Sequence, residues 1–69
     1  MDKTYKVIEI VGNSSAGFQQ AVDVAIKEAA KTLKGLAWFE VKELTGGLKD
    51  GKVTDYQARL LVGFRLLNE

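Results

Sequence analysis

The chain has 69 residues, a net charge of +1 from ten basic and nine acidic side chains, and neither cysteine nor histidine. This composition excludes disulfides, thiolate metal sites and the commonest general base, and it argues against a non-specific nucleic-acid binder, which needs a strongly basic surface. A domain of this length buries only about 60% of its unfolded surface, so we expect association between copies to add the missing stability.

The first segment, MDKTYKVIEIVG, alternates charged and apolar residues. It has the pattern of neither a signal peptide nor a membrane-spanning helix, so we expect a cytoplasmic protein without membrane contact. The alternation predicts a strand from Thr4 to Val11 that ends at Gly12. Ile8 and Ile10 would lie on one face, and the other face would carry Tyr5, Val7, Glu9 and Val11.

An amphipathic helix is predicted next. Asn13, Ser14 and Ser15 offer side-chain oxygens to the free N–H groups at its start, and Gly35 can adopt the left-handed conformation that ends a helix. Apolar residues recur between them at steps of three or four, as a helix that packs on a sheet requires, namely Phe18, Val22, Ala25, Ala29 and Leu33.

Two further strands complete the single domain of residues 1–69. One is predicted from Leu36 to about Leu44 and the other from Lys52 to about Leu67, with a hairpin turn in GGLKDG, residues 46–51. A helical crossover followed by a hairpin lets the third strand lie between the other two. The prediction is an α+β fold of order β-α-β-β, with a three-stranded antiparallel sheet of order 1-3-2 packed around one helix.

The only tryptophan, Trp38, is predicted on the face of the sheet that the helix does not cover. Alternation places Leu36 on the same open face as Trp38. The residues of the second strand that would face the helix are Ala37, Phe39 and Val41. Those of the third strand that would face the helix are Tyr56, Ala58, Leu60, Val62 and Phe64. The open side of the third strand would carry Gln57, Arg59 and Arg65. Ion pairs with Glu9 and Glu40 are the ordinary role for these arginines.

Two interpretations of Trp38 follow from this placement. An exposed indole with aliphatic neighbours is typical of a subunit interface. An aromatic plane near an amide and arginines equally suits a flat heteroaromatic ring with an anionic tail. The pattern alone leaves both open.

The stretches YKVIEIVG, GLAWFEV and YQARLLVGFRL, in this order, resemble the dodecins, small flavin-binding proteins of bacteria and archaea. The resemblance covers Tyr5 to Leu66. It implies the fold predicted above, assembly of twelve chains into a hollow shell, and FMN as the nucleotide cofactor, with riboflavin and FAD as alternatives.

The resemblance also implies roles for single residues. Trp38 would stack on the isoalloxazine ring, and Gln57 would hydrogen-bond its polar edge. Arg65 and Lys6 are the candidates for the phosphate. Many bacterial dodecins carry arginine where this chain has Thr45, so coenzyme A, which some members bind, is retained only as a candidate partner.

The function implied is flavin storage and photoprotective buffering, because an electron-rich indole stacked on a flavin offers a fast path for excited-state electron transfer. We predict no catalytic residue, no metal site and no nucleic-acid partner. The alternatives are a flavin-dependent redox enzyme, a structural oligomer without flavin, and a single-stranded nucleic-acid binder, which would show more aromatic residues on the open face.

Overall fold

The computed structural model describes residues 2–66 and consists of one helix on one face of one sheet. The elements are β1 Tyr5–Ser14, α1 Phe18–Ala30, β2 Leu36–Lys49 and β3 Lys52–Arg65. β3 lies between β1 and β2 and is antiparallel to both. The predicted α+β fold, the β-α-β-β order and the sheet order 1-3-2 are confirmed. The predicted end of the third strand at Leu67 lies outside the described residues.

β1 does not end at Gly12 as predicted, but continues to Ser14. Gly12 is buried and pairs with Ala58 in the ladder. A Cβ atom at this position would overlap the carbonyl oxygen of Ala21 in α1. The glycine therefore marks the point where the helix lies closest to the strand, which is a common reason for glycine inside a strand.

The predicted caps of the helix are wrong at both ends. Asn13 and Ser14 belong to the β1–β3 ladder, and the residue before the helix is Gly17, which makes no side-chain capping bond. At the other end the helix stops at Ala30, so Leu33 lies beyond it. Gly35 does adopt the predicted left-handed conformation, with a φ of 78°, but it directly precedes β2 instead of ending the helix. Its carbonyl oxygen accepts a hydrogen bond from the N–H of Arg65 at 2.9 Å.

The β2–β3 hairpin is longer than predicted. β2 runs past Leu44 to Lys49, and Gly46 and Gly47 lie inside it. The connection is Asp50–Gly51 alone, with φ values of 51° and 75°. Positive φ at both central residues is what a two-residue type I′ turn requires, and Asp-Gly is a preferred pair for it.

The core lies between α1 and the two strands it covers, β1 and β3. Its fully buried members are Ala21, Ala25, Ala58, Leu60 and Val62. This confirms the inward side predicted for the middle of β3. The helix does not extend over β2, so Phe39 on the helix side of β2 remains 50% exposed. Within residues 2–66, no helix is long and apolar enough to cross a membrane.

The face predicted for Leu36 in β2 is wrong. The pairing of β2 with β3 shifts between Leu36 and Trp38, which leaves Ala37 as an extra residue, and shifts again between Val41 and Glu43. Leu36 therefore pairs with Phe64 and packs on the core rather than beside Trp38. Such bulges insert a residue that the partner strand does not match, and each one inverts the alternation that follows it.

Candidate functional site

The candidate site lies on the face of the sheet opposite α1, which we call the open face. The register assigns to it Tyr5, Val7, Glu9, Val11 and Asn13 from β1, Trp38, Glu40, Glu43 and Thr45 from β2, and Gln57, Arg59, Leu61, Gly63 and Arg65 from β3. Trp38 and the alternate residues of β1 from Tyr5 to Val11 therefore lie on the face that the alternation predicted for them.

The indole of Trp38 lies over Gly63, its partner in the ladder. A Cβ atom at Gly63 would overlap the six-membered ring of the indole. Because glycine has no side chain, the ring can rest on the backbone of β3, while 45% of Trp38 stays exposed. This geometry leaves one side of an electron-rich ring accessible for stacking. The sequence analysis did not identify Gly63, and the Val-Gly-Phe break in β3 was its only signal.

Arg65 is the cation next to this ring. It follows Gly63 by two residues on the open face, about 7 Å along the strand. Lys6, the other predicted phosphate ligand, pairs with Phe64 and therefore lies on the helix side. Within one chain, the structure brings together Trp38 and Arg65 but not Lys6.

Gln57 lies far from Trp38. It precedes Gly63, the partner of Trp38, by six positions in β3, which corresponds to about 20 Å of strand. This distance exceeds the reach of one tricyclic ring stacked on the indole. A single chain therefore does not bring together the two residues that the sequence analysis assigned to the same ring.

The surroundings of Gln57 are polar. The Thr45 hydroxyl donates a hydrogen bond to Gln57 Oε1 at 3.2 Å. The neighbouring Asp55 carboxylate accepts hydrogen bonds from the Asn13 amide and the Thr54 hydroxyl. The pKa of Asp55 lies below its ordinary value, chiefly because of the Asn13 bond. Partial loss of hydration opposes this shift, and the nearby Thr54, Gly47 and Gln57 add to it.

Arg59 lies midway along the open face and is held by two carboxylates. Its Nη1 is 3.0 Å from Glu9 and its Nε is 3.3 Å from Glu43. These hydrogen bonds, the one to Glu9 first, raise the pKa of Arg59. The expected partner Glu9 is confirmed, and Glu43 replaces Glu40 because the second shift in β2 brings Glu43 opposite Arg59. Arg59 in the central strand thus forms ion pairs with both edge strands, β1 and β2.

A groove of about 600 Å³ lies between β1 and α1, away from the open face. Its lining is mainly aliphatic and includes Ile8, Ile10, Val24, Ala29 and Leu33. It has no aromatic ring and no cation, so it lacks the features that suit a flat anionic ligand. Within residues 2–66, no group of three acidic side chains could hold a metal ion.

Comparison with known proteins identifies the family. The sequence model of the dodecins matches residues 4–67. The dodecin of Thermus thermophilus is 48% identical over 66 residues, which are 96% of each chain. The structure of dodecin from Streptomyces davaonensis has 44% identity and a TM-score of 0.94, covering 99% of this chain and 100% of that one. A crystal structure from Thermus thermophilus has 46% identity and a TM-score of 0.92 over 99% and 100% of the two chains. The chain therefore belongs to the dodecin family, whose members are known as flavin-binding proteins.

Proposed function

We propose that this protein stores FMN and suppresses its photochemistry, as a hollow dodecamer in the cytoplasm. The observation that carries the proposal is the half-exposed indole of Trp38, held over Gly63 with Arg65 beside it. Membership of the dodecin family supports the same conclusion.

The residues of the open face fit a flavin. Trp38 offers an aromatic surface to the isoalloxazine ring, and stacking of this kind contributes about 0.5 to 1.5 kcal/mol beyond the area buried. Arg65 offers a guanidinium that can bind a phosphate with two hydrogen bonds. Gln57 offers a donor and an acceptor to the polar edge of the ring.

A second copy of the chain completes the site. Because about 20 Å of strand separates Trp38 from Gln57, a ring stacked on the indole of one copy takes its amide contact from another copy. Two open faces related by a two-fold axis would each supply one indole and one amide, since an isologous interface uses the same patch twice. Two rings would then lie between two Trp38 side chains.

Photoprotection follows from the contact with Trp38. A bound flavin supplies the ring that absorbs light. Trp38 places an electron-rich indole against that ring, and electron transfer from the indole quenches the excited state of the flavin before other photochemistry begins. Arg59 holds Glu9 and Glu43 in ion pairs, so these carboxylates are not placed as free acids or bases for turnover. We therefore propose a binding protein rather than an enzyme.

The experiment that tests the function is a titration of the purified protein with FMN, followed by flavin fluorescence, with the particle mass measured on the same sample. We expect nearly complete quenching at one flavin per chain in a particle of about twelve chains. Bright bound flavin, or a monomer, would contradict the proposal. Riboflavin and FAD titrated in parallel would rank the three flavins, and coenzyme A added to the loaded particle would test it as a second ligand.

The redox-enzyme alternative has its own test. The loaded protein is mixed with NADH or NADPH in air, and oxidation is compared with that caused by free FMN at the same concentration. We expect oxidation no faster than with free flavin. Sustained faster oxidation would replace storage by catalysis. A preparation that binds none of the flavins would instead favour a purely structural shell.

A further inference from the structure

Among residues 2–66, the side-chain amide of Gln57 has one hydrogen-bond partner, Thr45, and a carboxylate nearby. Its oxygen accepts the hydrogen bond from the Thr45 hydroxyl at 3.2 Å. The carboxylate of Asp55 lies on the same face of β3, two residues before Gln57. An ionised carboxylate can only accept hydrogen bonds, so Asp55 favours the orientation in which the oxygen of the amide, and not its NH₂ group, faces Thr45 of β2. The hydrogen bond from Thr45 holds the amide, and the charge of Asp55 favours the same orientation.

Thr45 reaches this position through the irregular register of β2. If alternation continued without interruption from Trp38, the open face would receive residues 40, 42 and 44, and Thr45 would face the helix. The shift between Val41 and Glu43 inverts the pattern, so that Thr45 lies opposite Gln57 on the open face. The bulge thus places a hydroxyl where strict alternation would put the apolar Leu44.

The orientation of the amide matters for a flavin. The pyrimidine edge of the ring presents a carbonyl, the N3–H and a second carbonyl in sequence, which is an acceptor, a donor and an acceptor. An amide whose oxygen and nitrogen are fixed pairs with the N3–H and one particular carbonyl. An amide free to turn over would pair with either carbonyl and would lose more conformational entropy on binding.

We propose that Thr45 is a positioning residue, whose hydroxyl holds the Gln57 amide in the orientation that recognises the N3–H edge of a flavin stacked on Trp38 of another copy. This inference rests on the proposed function. Thr45 is exposed and lies outside the core, so its hydroxyl is not required for the packing of the chain. The hydroxyl selects the orientation of the ring through Gln57 and need not touch the ring itself.

The test compares Thr45→Val, which keeps the β-branched shape but removes the hydroxyl, with Thr45→Ser, which keeps the hydroxyl. Affinity is measured by fluorescence titration with FMN and with its 3-methyl derivative, which has no N3–H. For FMN, we expect Thr45→Val to bind about five- to tenfold more weakly and Thr45→Ser to bind within about twofold of the parent protein. For the 3-methyl derivative, we expect parent and Thr45→Val to bind equally.

A second comparison uses Gln57→Ala as the background. There, adding Thr45→Val is expected to cause no further loss of FMN affinity, because the hydroxyl acts through the amide. Equal losses for FMN and its 3-methyl derivative, or a full loss in the Gln57→Ala background, would overturn the inference and indicate a general structural role. No effect of Thr45→Val would overturn it while leaving storage intact. Failure of the parent protein to bind FMN would overturn the proposed function as well.

Discussion

At the scale of single residues, Trp38 carries the largest predicted effect. Trp38→Ala is expected to preserve the assembled particle and to weaken FMN binding by about 2 to 4 kcal/mol, because the stacking contact and its buried area are lost together. Fluorescence titration gives the affinity, and the particle mass reports the assembly. The FMN affinity of Trp38→Phe, which keeps a smaller ring, should lie between that of the parent protein and that of Trp38→Ala. Unchanged affinity in Trp38→Ala would mean that the indole serves an interface and not the ligand.

Gly63 is expected to matter only through Trp38. Gly63→Ala places a methyl group inside the volume of the indole, so the ring must leave its position at a cost of roughly 1 kcal/mol, or about fivefold in FMN affinity. The measurement is a double-mutant cycle with Trp38→Ala. In that background the added methyl group meets no ring, and FMN affinity should not fall further. Additive losses would show that Gly63→Ala disturbs the sheet instead.

The phosphate contact can be assigned by comparing two flavins. Arg65→Ala is expected to weaken FMN about ten- to a hundredfold and to change riboflavin binding within about twofold, because only FMN carries the anionic group. Lys6→Ala is the matched control, since Lys6 lies on the other face of the sheet. An FMN-specific loss in Lys6→Ala would show that a neighbouring copy brings that lysine to the phosphate.

At the scale of elements, Asp55 joins the ends of the three strands. It belongs to β3, accepts a hydrogen bond from Asn13 of β1, and places its carboxylate beside Gly47 of β2, where a Cβ atom would overlap it. A carboxyl whose pKa is lowered in the folded state stabilises that state above its ordinary pKa of 3.8, and the contribution is lost as the pH falls through the lowered value. The sheet should therefore lose stability in acid partly through this group.

Asp55→Asn tests this contribution. Between about pH 5 and pH 2, its resistance to urea at fixed protein concentration should fall less steeply with pH than that of the parent protein. Asp50→Asn is the control, because asparagine tolerates the positive φ of the turn and Asp50 lies outside the Asp55 cluster. The control should keep the steep dependence. Equal steepness in Asp55→Asn would show that other carboxyls dominate.

The elements also show how far the sequence determines the site. Simple alternation correctly separates the two faces of β1 and of the part of β3 that pairs with it. The ladder between these strands is regular from the Tyr5–Arg65 pair to the Ser14–Tyr56 pair. Of the three shifts in the pairing of β2 with β3, those before Trp38 and before Glu43 change which face the residues of β2 occupy, and neither leaves a turn residue or proline at the break. Leu36 and Thr45 were therefore beyond prediction from the pattern. Gly12 was misread as a strand end because a close approach of helix and strand depends on tertiary packing, which local propensity does not contain.

At the scale of the whole molecule, little of the chain is buried. Among residues 2–66, five hydrophobic residues form the buried core, and three of them are alanines. Large apolar side chains remain exposed on both sides of the sheet, among them Trp38, Phe39, Val41, Leu44 and Val11. A surface of this kind is typical of a chain that is stabilised by contact with its own copies.

The stability of the protein is therefore expected to depend on its concentration. A hundredfold dilution should lower the Tm by roughly 10 °C or more, because association contributes free energy by mass action and a domain of this size has a small entropy of unfolding. Saturating FMN should raise the Tm of the parent protein and leave that of Trp38→Ala nearly unchanged. Differential scanning calorimetry at several concentrations provides the measurement. A Tm independent of concentration would indicate a chain that is stable alone.

The separation of Trp38 from Gln57 along β3 has a genetic consequence. Since each ring would take its indole from one copy and its amide from another, Trp38→Ala and Gln57→Ala damage different halves of a shared site. When the two variants assemble together, one ring site in a mixed pair recovers both intact halves and the other loses both. Two defective alleles expressed in one cell would thus restore part of the tight flavin binding that neither provides alone.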